Sequence, residues 1–128
     1  MDITPLVPQG RQIIQGYAHG RFRVSSQVYD GAVIVFPEST QNWDFTKTMA
    51  DLTPDDFAPL IAAADQLDVV LVGCGSALRT MPLALRQALK DRGITVEFMD
   101  TGAACRTYNV LMAEGRRVAA ALLPTEAT

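Results

Sequence analysis

The stretch Asp68-Val69-Val70-Leu71-Val72-Gly73-Cys74-Gly75-Ser76 decides the fold class. Its unbroken branched apolar run reads as a central parallel strand, buried on both faces. The glycine pair that follows lets the backbone turn sharply and expose its amides. In an open α/β sheet, ligands tend to bind at this carboxyl edge. Beyond the loop, Pro82 suits a first helical position, and Leu83 to Arg92 buries Leu85, Ala88 and Leu89 before stopping at Gly93. Ile94 to Met99 is the next strand. Asp100-Thr101-Gly102 turns the chain into a helix from Ala103 to Glu114, ended by Gly115, and Val118 to Leu123 is the last strand, closed by Pro124. Upstream, Phe57, Leu60, Ile61, Ala64 and Leu67 recur at helical spacing behind the start signal Thr53-Pro54-Asp55-Asp56. Pro59 cannot donate a backbone hydrogen bond, so residues 54–58 are expected to form a separate turn before the helix proper. The order helix–strand–helix–strand–helix–strand predicts a sheet covered by helices, with right-handed crossovers between parallel strands.

The first 50 residues read as strands. Gln12 to Tyr17 alternates weakly, His19-Gly20 looks like a turn, and Arg21-Phe22-Arg23-Val24 alternates charged and apolar residues at period two. Asp30-Gly31 is a dipeptide that hairpin turns favour. It leads into Ala32-Val33-Ile34-Val35-Phe36, a second continuously apolar strand, ended by Pro37. Asn42-Trp43-Asp44-Phe45 is expected to be a short edge strand. These strands are joined by short turns and must be largely antiparallel. They either extend the main sheet or fold over it. The predicted architecture is therefore α/β: a single domain over residues 1–128, with a mixed central β-sheet, helices packed on it and an additional N-terminal antiparallel β layer. Residues 1–10 and 125–128 are expected to be loosely ordered.

Composition narrows the function classes. The chain has 128 residues, 14 acidic and 11 basic, with a net charge of -3. That length fits one domain. The mild acidity argues against a nucleic-acid binder working by phosphate neutralisation. No apolar stretch is long enough to span a bilayer, and MDITPLVPQG lacks the basic start and apolar run of a signal peptide. Direct membrane insertion is not expected, and the expected location is the cytoplasm. Two cysteines and one histidine exclude a disulfide scaffold and an ordinary Cys/His zinc site within one chain. No metal and no cofactor are expected.

The candidate site clusters at the loop. As a dinucleotide fingerprint, Gly73-Cys74-Gly75 fails, because the third glycine position holds Leu78 and no second mononucleotide half follows. The amides of Gly75 and Ser76, with Arg79 in the same loop and Arg106 in the later helix, could form a small anion site beside Asp100. The bland alternative is a tight loop with solvated arginines. Cys74 follows one strand, and Cys105 falls in the first turn of the expected helix after the next. Both would then share one sheet edge, where a helix N-terminus lowers a thiol pKa. The competing reading is two buried thiols. Ser76 lacks the G-x-S-x-G elbow of hydrolases. His19 reads as a turn residue, and Asp55 and Asp56 as helix-start charges. Thr107 and Asn109 are polar positions on a helix whose Ala104, Tyr108 and Leu111 face the core. Asn109 is expected to bond a loop backbone group and fix its path, a structural role. Trp43 and Phe45 form either an exposed aromatic partner surface or a satellite core beneath the polar segment.

Several of these residues together resemble one family. The run Val70-Leu71-Val72-Gly73-Cys74-Gly75 is followed by Arg92-Gly93-Ile94, Met99-Asp100-Thr101, Ala103-Ala104-Cys105-Arg106-Thr107-Tyr108-Asn109, and Glu114-Gly115-Arg116-Arg117-Val118-Ala119-Ala120-Ala121-Leu122. Gly31 to Pro37 and Trp43 also fit. The pattern is similar to a small α/β family typified by an uncharacterised methanogen protein. That family includes the mitochondrial assembly factor for respiratory complex I and an adipogenesis-associated animal protein. The resemblance implies a mixed sheet with an added β layer and no established catalytic activity. It implies action by binding other proteins, as the mitochondrial relative does. Family members vary between the two glycines and do not all keep a cysteine matching Cys105, so no catalytic residue is carried over. The expected function is that of a non-enzymatic interaction or assembly-accessory protein linked to complex I, with protein partners and no nucleic acid. The alternative is a small-molecule or anion binder, or enzyme, using the Gly73–Arg79 loop. A homodimer is left open, because an exposed sheet edge or aromatic patch favours symmetric pairing.

Overall fold

The two apolar runs become interior strands of one five-stranded sheet. The computed structural model describes residues 10–44, 51–76 and 83–125. In chain order the strands are β1 (Ile14–Ala18), β2 (Arg21–Val24), β3 (Gln27–Asp30), β4 (Val33–Val35), β5 (Thr40–Asn42), β6 (Val69–Gly73), β7 (Val96–Met99) and β8 (Val118–Leu122). The helices are α1 (Ala58–Ala62), α2 (Leu83–Asp91) and α3 (Thr101–Ala113). The main sheet has the order β5-β4-β8-β6-β7. β6 runs parallel to both β7 and β8, whereas β4 is antiparallel to β8 and to β5. The sheet is therefore mixed. Its middle strand is β8, with β6 beside it.

Period-two alternation sorts the sheet into two cores. Ile34, Val70, Val72, Val96, Ala119 and Ala121 face one side, where they meet Phe57, Leu60, Leu85 and Leu89. Val33, Val35, Leu71, Val118, Ala120 and Leu122 face the other, against Ala104, Cys105, Tyr108 and Met112 of α3. The second side is completed by a separate antiparallel sheet, β1-β2-β3, which contributes Ile14, Phe22 and Val24. The N-terminal strands thus do both things the sequence allowed. β4 and β5 extend the main sheet, and β1 to β3 form the added layer.

Local chemistry sets the boundaries. Residues Pro54–Phe57 form a separate 3-10 turn ahead of α1, as Pro59 requires. At its start the Thr53 N–H donates to Asp56 Oδ2 at 2.8 Å. α2 and α3 both end in a left-handed glycine with paired return bonds. Ile94 N–H reaches Leu89 O and Gly93 N–H reaches Lys90 O, and Arg116 N–H to Leu111 O and Gly115 N–H to Met112 O repeat the pattern.

Several expectations are corrected. The β1–β2 hairpin turns at His19-Gly20, as expected, but the β2–β3 turn lies at Ser25-Ser26, with φ of 47° and 72°, and not at Asp30-Gly31, which links β3 to the other sheet. The edge strand is Thr40–Asn42, two residues earlier than expected, because its register follows β4. α3 begins at Thr101, since Asp100 is its cap: Asp100 Oδ2 accepts the Ala103 N–H at 3.0 Å. Trp43 is no partner surface. It is 5% exposed, packs its ring 5.6 Å from that of Phe57, and donates its indole N–H to Asp56 O at 2.8 Å. It belongs to the main core. Phe45, Arg79, Pro82 and the chain ends at 1–9 and 126–128 lie outside the described residues.

Candidate functional site

The carboxyl ends of β6, β7 and β8 meet at Thr101. Its hydroxyl accepts the Gly75 N–H at 2.9 Å and donates to Leu123 O at 2.6 Å. Thr101 N–H donates in turn to Gly75 O at 2.8 Å, Cys74 N–H to Met99 O at 2.8 Å, and Leu123 N–H to Gly73 O at 3.0 Å. Thr101 is fully buried. Such closeness needs glycine at position 73. A Cβ there would lie 2.8 Å from Thr101 Oγ1 and 2.9 Å from its Cα. The loop therefore directs its Gly75 amide inward, where an anion cannot reach it. Gly73, Cys74 and Gly75 are buried and Ser76 is exposed.

The two cysteines do not share a site. Cys74 packs with the α1–α2 side of the sheet and Cys105 with the α3 side. Cys105 stands in the second turn of α3, not the first, because the helix starts at Thr101. Burial pushes its thiol up from 9.0 to about 12. The Arg106 charge lowers it by less, and the Asp100 charge raises it. It is a neutral core thiol at neutral pH, not a nucleophile.

Asp100 and Arg106 do come together. Both converge on Gly102, with a third group that the sequence reading left out, Tyr17. A Cβ on Gly102 would lie 2.5 Å from the Tyr17 hydroxyl and 3.3 Å from both Arg106 Nη1 and Asp100 Oδ2. Asp100 already caps the helix, so its carboxylate occupies the position an anion would take. Asn109 bonds a backbone group as expected, but the partner is the strand β1 and not a loop. Its Oδ1 accepts the Ile14 N–H at 2.9 Å, and its Nδ2 donates to Ile14 O at 2.7 Å. β1 bulges just there, with its register shifting between Ile14 and Gly16. Thr107 is half-buried beside it.

A cavity of about 420 Å³ opens at the opposite, amino edge of the parallel strands, lined by Arg11, Phe36, Pro37, Ser39, Leu67 and Arg117, with Glu38, Ala63 and Gln66. Its walls are pinned. Gln12 N–H donates to Pro37 O at 2.8 Å, and the Thr40 hydroxyl donates to Gln12 Oε1 at 2.6 Å. The Tyr108 hydroxyl lies 3.1 Å from both Gln12 O and Phe36 O. Burial raises the Tyr108 pKa, and the Arg11 charge opposes it, so the phenol is neutral and donates. Arg117 holds Asp68 through Nη2 to Oδ1 at 2.7 Å and Nε to Oδ2 at 3.3 Å. That pairing raises the Arg117 pKa and lowers that of Asp68. Sequence reasoning missed this cavity. No local pattern marks it, because its wall is drawn from four separated stretches of the chain.

Comparison with known proteins places this geometry. An uncharacterized protein of Rhodobacter capsulatus is 40% identical over 111 residues, covering 87% of this chain and 83% of its own. The human NADH dehydrogenase (ubiquinone) 1 alpha subcomplex assembly factor 3 is 32% identical over 111 residues. That match covers 87% of this chain but 60% of the human protein, so the chain spans less than two thirds of that relative. A crystal structure described as that of an outer membrane protein from Bartonella henselae superposes with a TM-score of 0.81 at 38% identity, over 91% of this chain and 98% of the other. The solution structure of a Bordetella pertussis protein, described as an Mth938-like domain, gives 0.77 at 28% identity, over 98% and 93%. Residues 14–123, which hold both sheets, match the family described as "Protein of unknown function (DUF498/DUF598)", and the chain belongs to that family.

Proposed function

We propose that the chain is a non-enzymatic accessory protein that acts in the cytoplasm by binding other proteins, in a process related to the assembly of respiratory complex I. The observation that carries this reading is the 32% identity to the human assembly factor, sustained over 111 residues. Two features support it. The inward-bonded loop at Gly73–Gly75 and the neutral Cys105 offer no activated nucleophile among the described residues. Among those residues, too, no helix is long and apolar enough to cross a membrane, so membrane partners would be met from outside the bilayer.

The test is recovery of the tagged protein from its own cell after gentle solubilisation, with co-purifying proteins identified by mass spectrometry. Enrichment of complex I subunits or their assembly proteins is expected. Val110, 56% exposed on α3, and Val28, 63% exposed on β3, are the surface positions for aspartate variants. Recovery of the protein without any respiratory or assembly component would refute the reading. Light scattering of the same material settles whether the chain pairs with itself.

A further inference from the structure

We infer that the cavity at the amino edge of the sheet is a binding site for a small carboxylate carrying an apolar group. This goes beyond the accessory role above and does not depend on it. The volume of about 420 Å³ lies within the range of small-molecule sites, roughly 300–1,000 Å³. Phe36, Pro37 and Leu67 supply an apolar wall, and Ser39 and Gln66 supply neutral polar groups.

Charge selects the ligand. Arg117 is already committed to Asp68, and its Nη1 lies 3.3 Å from Asp65 O. Arg11 is half-buried, lines the cavity and has no side-chain hydrogen-bond or ion-pair partner among the described residues. A guanidinium so placed favours a planar carboxylate, which it can hold with two parallel bonds. Glu38 is exposed on the rim and is likewise unpaired among those residues. Its charge repels a compact, multiply charged anion such as phosphate more strongly than a single carboxylate, whose apolar part gains from the wall. The site is also preorganised. Gln12, next to Arg11, is fixed through its N–H, its carbonyl and its side chain to Pro37, Tyr108 and Thr40. The wall around Gln12 is thus ordered in advance, and the Arg11 side chain is what remains to be ordered on binding.

The experiment is an NMR titration of the isotopically labelled chain with 3-phenylpropanoate, its neutral amide, and inorganic phosphate. The acid is expected to give saturable shifts at Phe36, Glu38, Ser39, Gln66 and Leu67, with a Kd below about 1 mM. The amide and phosphate are expected to bind at least about ten-fold more weakly. Arg11→Gln should weaken the acid roughly ten- to hundred-fold. Ala63→Leu, which narrows the cavity without touching a charge, should also weaken the acid and serves if the first variant misfolds. N-acetyl-glycyl-leucine, with a free or an amidated end, separates the two sources of the group. Tighter binding of the free-ended peptide than of phenylpropanoate assigns the carboxylate to a partner's chain end, and the reverse order assigns it to a free small acid. Absence of saturable shifts at those residues, equal binding of acid and amide, or unchanged affinity in both variants would overturn the proposal.

Discussion

Replacing Thr101 by valine keeps the side-chain shape and removes the hydroxyl that joins three strand ends. In the native chain that oxygen accepts from Gly75 N–H at 2.9 Å and donates to Leu123 O at 2.6 Å, both within the buried interior. The variant strands one buried donor and one buried acceptor. Each unsatisfied group costs about 1–3 kcal/mol, so the expected loss is about 2–6 kcal/mol. A methyl carbon at those separations is also closer than van der Waals contact allows, which pushes the loss to the upper part of the range. Thr101→Ser is the control. It keeps both bonds and deletes one methyl, a cost of about 1 kcal/mol. The assay is equilibrium urea unfolding followed by tryptophan fluorescence, for which the buried Trp43 is the reporter. With a urea slope of about 2 kcal/mol per molar, the valine midpoint should fall by about 2 M or more at unchanged slope, and the serine midpoint by about 0.5 M. Gly73→Ala should be as costly as valine, because its new Cβ would meet Thr101 Cα at 2.9 Å, and backbone cannot swing aside. If valine proved no more costly than serine, the hydroxyl would be carrying no bonds that matter, and the case for a closed carboxyl edge would fail.

Four further outcomes follow from the same geometry. Trp43→Ala should destabilise the fold by about 3–5 kcal/mol in urea unfolding and so cannot serve as a surface control; a loss under about 1 kcal/mol would mean that the indole is not in the core. Cys105 should resist a thiol reagent at neutral pH until the chain unfolds. Because its native pKa is raised from 9.0 to about 12, the unfolded state loses its proton first, so stability should fall by up to about 1.4 kcal/mol per pH unit above about pH 9, with a shallower slope in Cys105→Ala. Asn109→Asp replaces the amide donor facing Ile14 O by a carboxylate oxygen, and amide hydrogen exchange should show β1 opening at least about ten-fold more readily while β6 and β8 stay protected.

The main sheet was legible because its signals are local. Val69–Gly73 and Val33–Val35 are apolar on both faces, and Gly93 and Gly115 mark helix ends by a backbone conformation that favours glycine. β3 was not legible. Gln27-Val28-Tyr29-Asp30 places no buried residue on either face. Its turn is built from two serines in left-handed conformations, where the expected residues are asparagine and glycine. The turn is held instead by side chains: Ile13 N–H donates to Ser25 Oγ, and Ser26 N–H to Gln15 Oε1. Trp43 was ambiguous because Gln41, Asn42 and Asp44 around it are polar, while the residue that stacks on it, Phe57, lies beyond a long interval of chain. The cavity had no local pattern at all, since its wall is drawn from Arg11, residues 36–39, residues 63–67 and Arg117.

The topology explains why the more obvious edge is the less available one. The chain leaves β6 for α2, whose buried leucines lie on one face of the sheet, and leaves β7 for α3, on the other face. Two adjacent parallel strands are thus followed by helices on opposite faces, the arrangement that opens a ligand crevice in doubly wound sheets. Here that crevice is bridged. Gly75 and Thr101 exchange a reciprocal pair of bonds across it, and the Thr101 hydroxyl carries the link on to Leu123 at the end of β8. A crevice whose polar groups satisfy one another holds strands together and gives a ligand little to bond. At the amino edge the antiparallel β4 ends in the turn at Pro37 and Glu38, beside the starts of β6 and β8, and Arg11 is left unpaired among the described residues. The unsatisfied bonding capacity has moved to the end of the sheet where a purely parallel fold would not put it.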